Sequence, residues 1–362
     1  MVAGEPHQGG ATWAVLQYVL GLRQLGHRVT VVEPIEVLTD GSTAYFSDVT
    51  RRFGLENEAG LLVEGSRQTV GLAYEDLLAS ARDADVLLNI SGMLDGDLFD
   101  AVRGARVFVD LDPAFNQLWH AAEGVDMGFD RHDRFVTVGL ALGDDECPVP
   151  TCGREWVRTP QPVVLDHWPL RRPAPAGPVT TVANLRGYGS VEWHGTLYGQ
   201  KVHSLRSLYA LPGRVADPLV LAMDVHPDER QDLAALRRHG WRLRDPHVAA
   251  GTPDAYAAFI ADSKAEIGIA KSGYVHSRCG WFSDRSACYL ATGRPVVAQE
   301  TGYSRYLPVG QGLLPFTGVD DAAAALEEVG RDHARHGRAA RQIAEEVFDS
   351  DRVLRDLLER LA

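Results

Sequence analysis

Two runs of short apolar segments, alternating with amphipathic stretches of helical period, constrain this chain more than any other feature of it. In the first run residues 28–32, 85–90, 105–109 and 135–138 read as strands, and residues 12–25, 74–82 and 97–102 as helices. Trp13, Leu16, Val19, Leu20 and Leu22 mark one face of the first helix, and Gly26 stands where a C-cap belongs. In the second run the strands fall at 179–183, 219–223, 265–269 and 295–298, with helices at 202–209, 229–238, 254–261, 284–291 and 320–329. A strand that is apolar throughout is buried on both faces, and a strand, helix, strand succession lays helices over a parallel sheet. The expected fold class is α/β, with two Rossmann-like parallel-sheet domains.

Between the runs, residues 160–178 carry prolines at 160, 162, 169, 173, 175 and 178 and almost no helical period, so they read as a linker. The expected organisation is a first domain over residues 1–160, a linker over 161–178, a second domain over 179–345 and a closing helix over 346–362. Within residues 339–361, Ile343, Val347, Val353, Leu354, Leu357 and Leu358 are set among charges, as in amphipathic helices. Residues 1–3 are short for a first strand, because a Gly-rich turn follows at once. Two readings stay open there, a stub strand or a start codon placed late.

A length of 362 residues with 45% hydrophobic content supports two packed cores. The net charge of −13 argues against a general nucleic-acid binder or a protein of anionic membrane surfaces, so any phosphate site must be local. Cysteines 147, 152, 279 and 288 form neither a CxxC pair nor a dense framework, which suits reduced thiols, and Cys147 and Cys152 lack the second Cys/His pair that a zinc site needs. No apolar run approaches the ~18 residues that cross a bilayer, and no basic-then-apolar leader opens the sequence. The expectation is a cytoplasmic protein without membrane insertion.

Four constellations can carry chemistry. Gly4 to Trp13 reads GEPHQGGATW, in which Gly9 and Gly10 open onto a helix whose N-terminus attracts anions. It matches neither the GxGxxG nor the GxxxxGK[ST] fingerprint, and a plain strand-to-helix turn is the alternative reading. His7 is a general-base candidate there or a hydrogen-bonded structural residue. Asp110 and Asp112 follow an apolar strand, at the edge where α/β proteins bind ligands; one can orient His7 or take a proton, or Asp112 simply caps a helix. Arg186, Lys201 and Lys271 stand at further strand exits, where a diphosphate would meet them. Trp241 lines a base site or anchors a core. Finally, Ser283, Asp284, Arg285 and Ser286 start a short helix that leads into the strand at 295–298, and Arg285 adds a fork of donors suited to phosphate.

These segments resemble the GT-B fold nucleotide-sugar glycosyltransferases. More narrowly, WFSDRSACYLATGRPVVAQETG, followed by Leu307-Pro308 and Gly312 to Phe316, is similar to a bacterial group of mostly unassigned substrate, in which GGxTW, YGQK and FDSDRVL also recur. The resemblance implies an acceptor-binding first domain, a donor-binding second domain, a cleft between them, and a C-terminal helix that crosses back. It places Ser283 to Ser286 beside the donor diphosphate and Gln299, Glu300, Thr301 and Gly302 beside the sugar. The departure lies at Gly280 and Cys288, where many retaining relatives carry glutamates; Asp284 lies between them. An inverting transfer needs a base, for which His7 with Asp110 or Asp112 is the candidate, whereas in a retaining transfer the departing diphosphate can serve.

The expected partners are a nucleotide-diphosphate sugar and an acceptor that is a small natural product, a sugar or a peptide, met by loops at 39–50 and 115–133. No other cofactor and no divalent metal are required; Asp110-Leu111-Asp112 has DxD spacing but lies in the acceptor half. The alternatives are a GT-B sugar-nucleotide epimerase or hydrolase, and a non-catalytic nucleotide-sugar-binding protein.

Overall fold

The computed structural model describes residues 2–172 and 174–362. Met1 of the expected stub strand and Pro173 of the expected linker lie outside them. The chain forms two Rossmann-like halves. The first holds a three-stranded sheet of β1 (Val31–Ile35), β2 (Ala59–Val63) and β3 (Thr69–Gly71), with β1 parallel to β2 and β3 antiparallel. Beside it β4 (Val86–Ile90), β5 (Ala105–Asp110), β6 (Arg134–Thr137) and β7 (Trp156–Arg158) make an all-parallel sheet in that order. In the second half β8 (Val179–Asn184) is followed by a hairpin of β9 (Val191–Trp193) and β10 (Thr196–Tyr198). Its main sheet is completed by β11 (Leu219–Asp224), β12 (Arg242–Arg244), β13 (Ala265–Gly268), β14 (Val296–Gln299) and β15 (Leu313–Phe316), parallel in the order β12-β11-β8-β13-β14-β15.

The apolar middles of these strands form the cores. Val107, Phe108 and Val109 of β5 and Val296 and Val297 of β14 are fully enclosed. Trp241 is an anchor of the second core, and its indole N–H donates to the Tyr209 carbonyl at 3.1 Å. The first strand lies three residues later than residues 28–32. Glu33 and Pro34 look like strand breakers, yet the Glu33 carboxylate turns inward to accept the N–H groups of Val2, Ala3 and Gly4 at 2.9, 2.9 and 2.8 Å. Pro34 is tolerated because β1 ends its sheet, where a missing donor costs no ladder bond.

The halves share a core along one side, in which Trp13 and Leu16 meet Trp168, Tyr256, Tyr289 and Phe348. The last helix, Ser350–Leu361, lies against the first half, with Leu354, Leu357 and Leu361 packed on Tyr18, Val107, Val109 and Val136. Where the chain crosses, Val163 pairs with Asp349. No described helix is long and apolar enough to cross a membrane.

Candidate functional site

The carboxyl end of β5 in the first half faces the carboxyl ends of β8 and β13 in the second, and side chains bridge the two. Asp112 Oδ1 accepts from Lys271 Nζ at 3.0 Å and from the hydroxyls of Tyr188 and Tyr274. Lys271 also donates to the Tyr188 hydroxyl, and its ammonium lies 3.8 Å from the centre of that ring, a cation–π contact. Phe115 and Trp119 close around Tyr188, and Trp281 stacks on Tyr274 at 4.2 Å. Burial lowers the Lys271 pKa against the pull of Asp112, while burial and Asp112 raise that of Tyr188.

Behind this contact lies a set of cations. Lys201, at the start of the helix Lys201–Ser207, is buried and donates to the Ile269 carbonyl. Burial holds its pKa well below the usual lysine range, and the like charges of Arg285 and Lys271 push the same way. Arg285 is engaged inside its own half. Its Nε pairs with Glu266, whose side chain is 0% exposed, and its Nη1 donates to the Val182 carbonyl at 2.9 Å. Ser283, Arg285, Ser286 and Gln299 converge on a cavity of about 10 Å³, room for one water at most. Arg186 stands apart, half-exposed and paired with Glu229.

The residues past β14 are occupied locally. Gln299 Oε1 accepts from the Ala270 N–H at 3.2 Å, Glu300 takes the Gly302 N–H, and the Thr301 hydroxyl donates to the Trp281 carbonyl. Asp284 lies at the seam between the halves, and its carboxyl pKa is raised, mainly by burial.

The expected pairing of His7 with Asp110 or Asp112 is not formed. His7 is exposed and packs edge-on against Tyr45 at 5.2 Å. Asp110 is fully buried and accepts from Asn116, Gln117, Thr137 and the Asp112 N–H at 2.6, 2.8, 2.8 and 3.0 Å. Burial pushes its carboxyl up to about 6, against those hydrogen bonds. Its geometry is that of a structural carboxylate, which leaves Asp112 as the acid at the cleft.

Packing alone requires Gly9 and Gly10 to be small. A Cβ on Gly9 would sit 2.3 Å from the Thr252 carbonyl oxygen, and one on Gly10 would sit 3.0 Å from the Tyr256 ring. The turn is where the first helix, Gly9–Gln24, butts against the second half, and the Trp13 indole N–H donates to the Pro253 carbonyl at 3.0 Å.

Gly280 and Cys288 are explained by the same seam. Gly280 has φ +76°, and a Cβ there would lie 2.6 Å from the Ala141 nitrogen. Cys288 is buried, with the Gln17 amide 3.6 Å from its sulfur. A glutamate at either place would be driven into the packed contact between the halves. Among the described residues no group of three or more His, Cys, Asp or Glu gathers to hold a metal.

The sequence reading passes over Tyr188, Tyr274, Trp281 and Glu266. Of these only Glu266 carries a local signal, a lone acid inside an apolar strand that must find a cation.

No family model and no curated protein matches the sequence. Solved structures share its fold. Anabaena Alr3699/HepE, solved in complex with UDP and glucose, superposes with a TM-score of 0.62 at 12% identity, over 96% of this chain and 95% of that one. AviGT4, a glycosyltransferase involved in avilamycin A biosynthesis, gives 0.53 at 14% over 99% and 91%. A glycosyltransferase from Rickettsia africae gives 0.52 at 12% over 97% and 94%. At such identities the likeness establishes the fold, the two-domain GT-B arrangement.

Proposed function

We propose that this chain is a glycosyltransferase that moves a sugar from a nucleotide-diphosphate sugar to an acceptor held against the first half. The observation that carries this reading is the Lys201 side chain, buried near Arg285 and Lys271 at the cleft-facing edge of the second sheet. A diphosphate would supply the anionic partner that Lys201 lacks among the described residues, since Lys271 is held by Asp112 and Arg285 by Glu266. As the glycosidic bond breaks, the leaving diphosphate gains charge, so fixed cations stabilise the transition state more than the ground state. Fold-mates solved with UDP, UDP and glucose, or UDP-glucose support the choice of donor class.

In this reading Lys201 and Lys271 take the diphosphate, with Arg186 at its outer side and the Ser283 to Ser286 helix start beneath it. Drawing Lys271 away frees Asp112 to take the acceptor proton in an inverting transfer. A retaining transfer leaves that step to the diphosphate. No divalent metal is required, because lysines do the neutralising, and the reaction is cytoplasmic. The acceptor is a small natural product, a sugar or a peptide.

The absence of acids at 280 and 288 favours a second reading, a protein that binds the nucleotide sugar without turning it over.

Thermal unfolding in UDP, dTDP, GDP and ADP tests the donor site, since a ligand at ~100 times its dissociation constant adds ~2.7 kcal/mol. No shift with any of them would sink both readings. Rapid turnover of a donor to a new sugar nucleotide without acceptor would sink transfer in favour of epimerisation.

A further inference from the structure

A second cavity lies outside the cleft. It measures about 530 Å³ and sits inside the first half, between its two sheets. One wall is the outer edge of β1 and the facing wall the outer edge of β4. Each of these strands has a partner on one side only, β2 for β1 and β5 for β4.

In a parallel ladder successive residues turn their backbone groups to opposite sides. The Val31 N–H donates to the Glu58 carbonyl, and the Ala105 N–H donates to the Asp85 carbonyl, so odd-numbered residues of β1 and β4 face their partners. The amides of Val32, Val86, Leu88 and Ile90 therefore point into the gap. These four side chains are only half-buried, which is unusual for central strands of an α/β sheet. Helices cover the gap on both faces, with Tyr18 and Leu22 over one and Leu77 and Leu98 over the other.

Val2 lines one end of this gap. There the N–H groups of Val2, Ala3 and Gly4 are gathered by the Glu33 carboxylate, beside Pro34, which offers a carbonyl but no amide. A backbone ladder along β1 would end at that level, and the Glu33 side chain takes over.

We infer that the gap seats a β-strand of this same polypeptide, about five residues long and apolar on both faces, parallel to β1 and β4 and leading directly into Val2. Its length follows from β1 and β4, each five residues. Its composition follows from the helices on both faces. Insertion joins the two sheets into one of eight strands and puts the Gly-rich turn where strand order reverses, the place where open α/β sheets bind ligands. The open edges call for this strand, whatever residue the numbering starts from.

The test is the intact mass of the protein purified from its own source, with amide exchange compared between that form and residues 1–362. The expected native form carries at least about five further residues, with an apolar run directly before Met1. In it the amides of Val32, Val86 and Leu88 exchange at least ~100-fold more slowly than in residues 1–362. A native protein that begins at Met1 or Val2 overturns the inference, including one found with another protein's strand in the gap. So does a longer form in which those amides exchange as fast as before.

Discussion

Replacing Arg285 by Met separates a structural ion pair from a phosphate ligand. The Glu266 side chain is 0% exposed and that of Arg285 11%, so removing the guanidinium strands a buried carboxylate. Breaking such a pair from one side costs ~3–5 kcal/mol, because the remaining charge has neither water nor partner. The Val182 carbonyl loses its donor as well, for ~1 kcal/mol more. The expected loss is ~4 kcal/mol or more, a large share of the ~5–15 kcal/mol that holds a typical domain. Adding Glu266→Gln removes the stranded charge and should restore ~2 kcal/mol or more. Urea unfolding followed by tryptophan fluorescence, read on the transition of the second half, measures both variants, and a UDP titration of each folded variant accompanies it. The reasoning fails if Arg285→Met stays within ~1 kcal/mol of the parent while UDP affinity drops about ten-fold (~1.4 kcal/mol). That result would free Arg285 for the ligand.

Three further outcomes are expected. Gly9→Ala forces a methyl against the Thr252 carbonyl. It should lower stability by ~1–3 kcal/mol, less a helix-propensity gain of under ~1, and leave the UDP dissociation constant within about two-fold; unchanged melting with lost binding would return the glycine to the ligand. Asp110 has a folded pKa of about 6, above its ordinary 3.8, so the folded state keeps a proton that the unfolded state releases. Stability should therefore fall by ~3 kcal/mol as pH rises through that interval and level off above it; urea midpoints across the window show the slope, and Asp110→Asn should flatten it. Because burial lowers the Lys201 pKa, a bound diphosphate should raise it again. UDP binding should then take up a proton and weaken as pH rises, seen by calorimetry in buffers of different ionisation enthalpy; uptake that persists in Lys201→Met would assign the proton elsewhere.

The α/β alternation was legible because buried parallel strands are written in contiguous apolar residues. β5, β8, β11, β13 and β14 fall within one residue of the expected ends. β2, β3, β7, β9, β10, β12 and β15 were not found: β3, β7, β9, β10 and β12 are three residues long, Pro315 interrupts β15, and Gly60 sits inside β2. At the site, contacts distant in sequence were not legible. Nothing local in the Gly-Gly pair announces that Thr252 packs against it. Nothing beside Arg285 announces that Glu266 pairs with it. Asp112 draws Tyr188, Lys271 and Tyr274 from 76, 159 and 162 residues away, a convergence that no local pattern encodes.

The two crossings between the halves run side by side. The Val163 N–H donates to the Phe348 carbonyl at 2.7 Å, and the Ser350 N–H donates to the Val163 carbonyl at 2.9 Å. Two straps buckled together at one spot resist shear as a pair. Sliding one half past the other would have to tear both hydrogen bonds at once. Parting the facing strand ends would have to release the Asp112–Lys271 contact, which fastens the halves at the cleft.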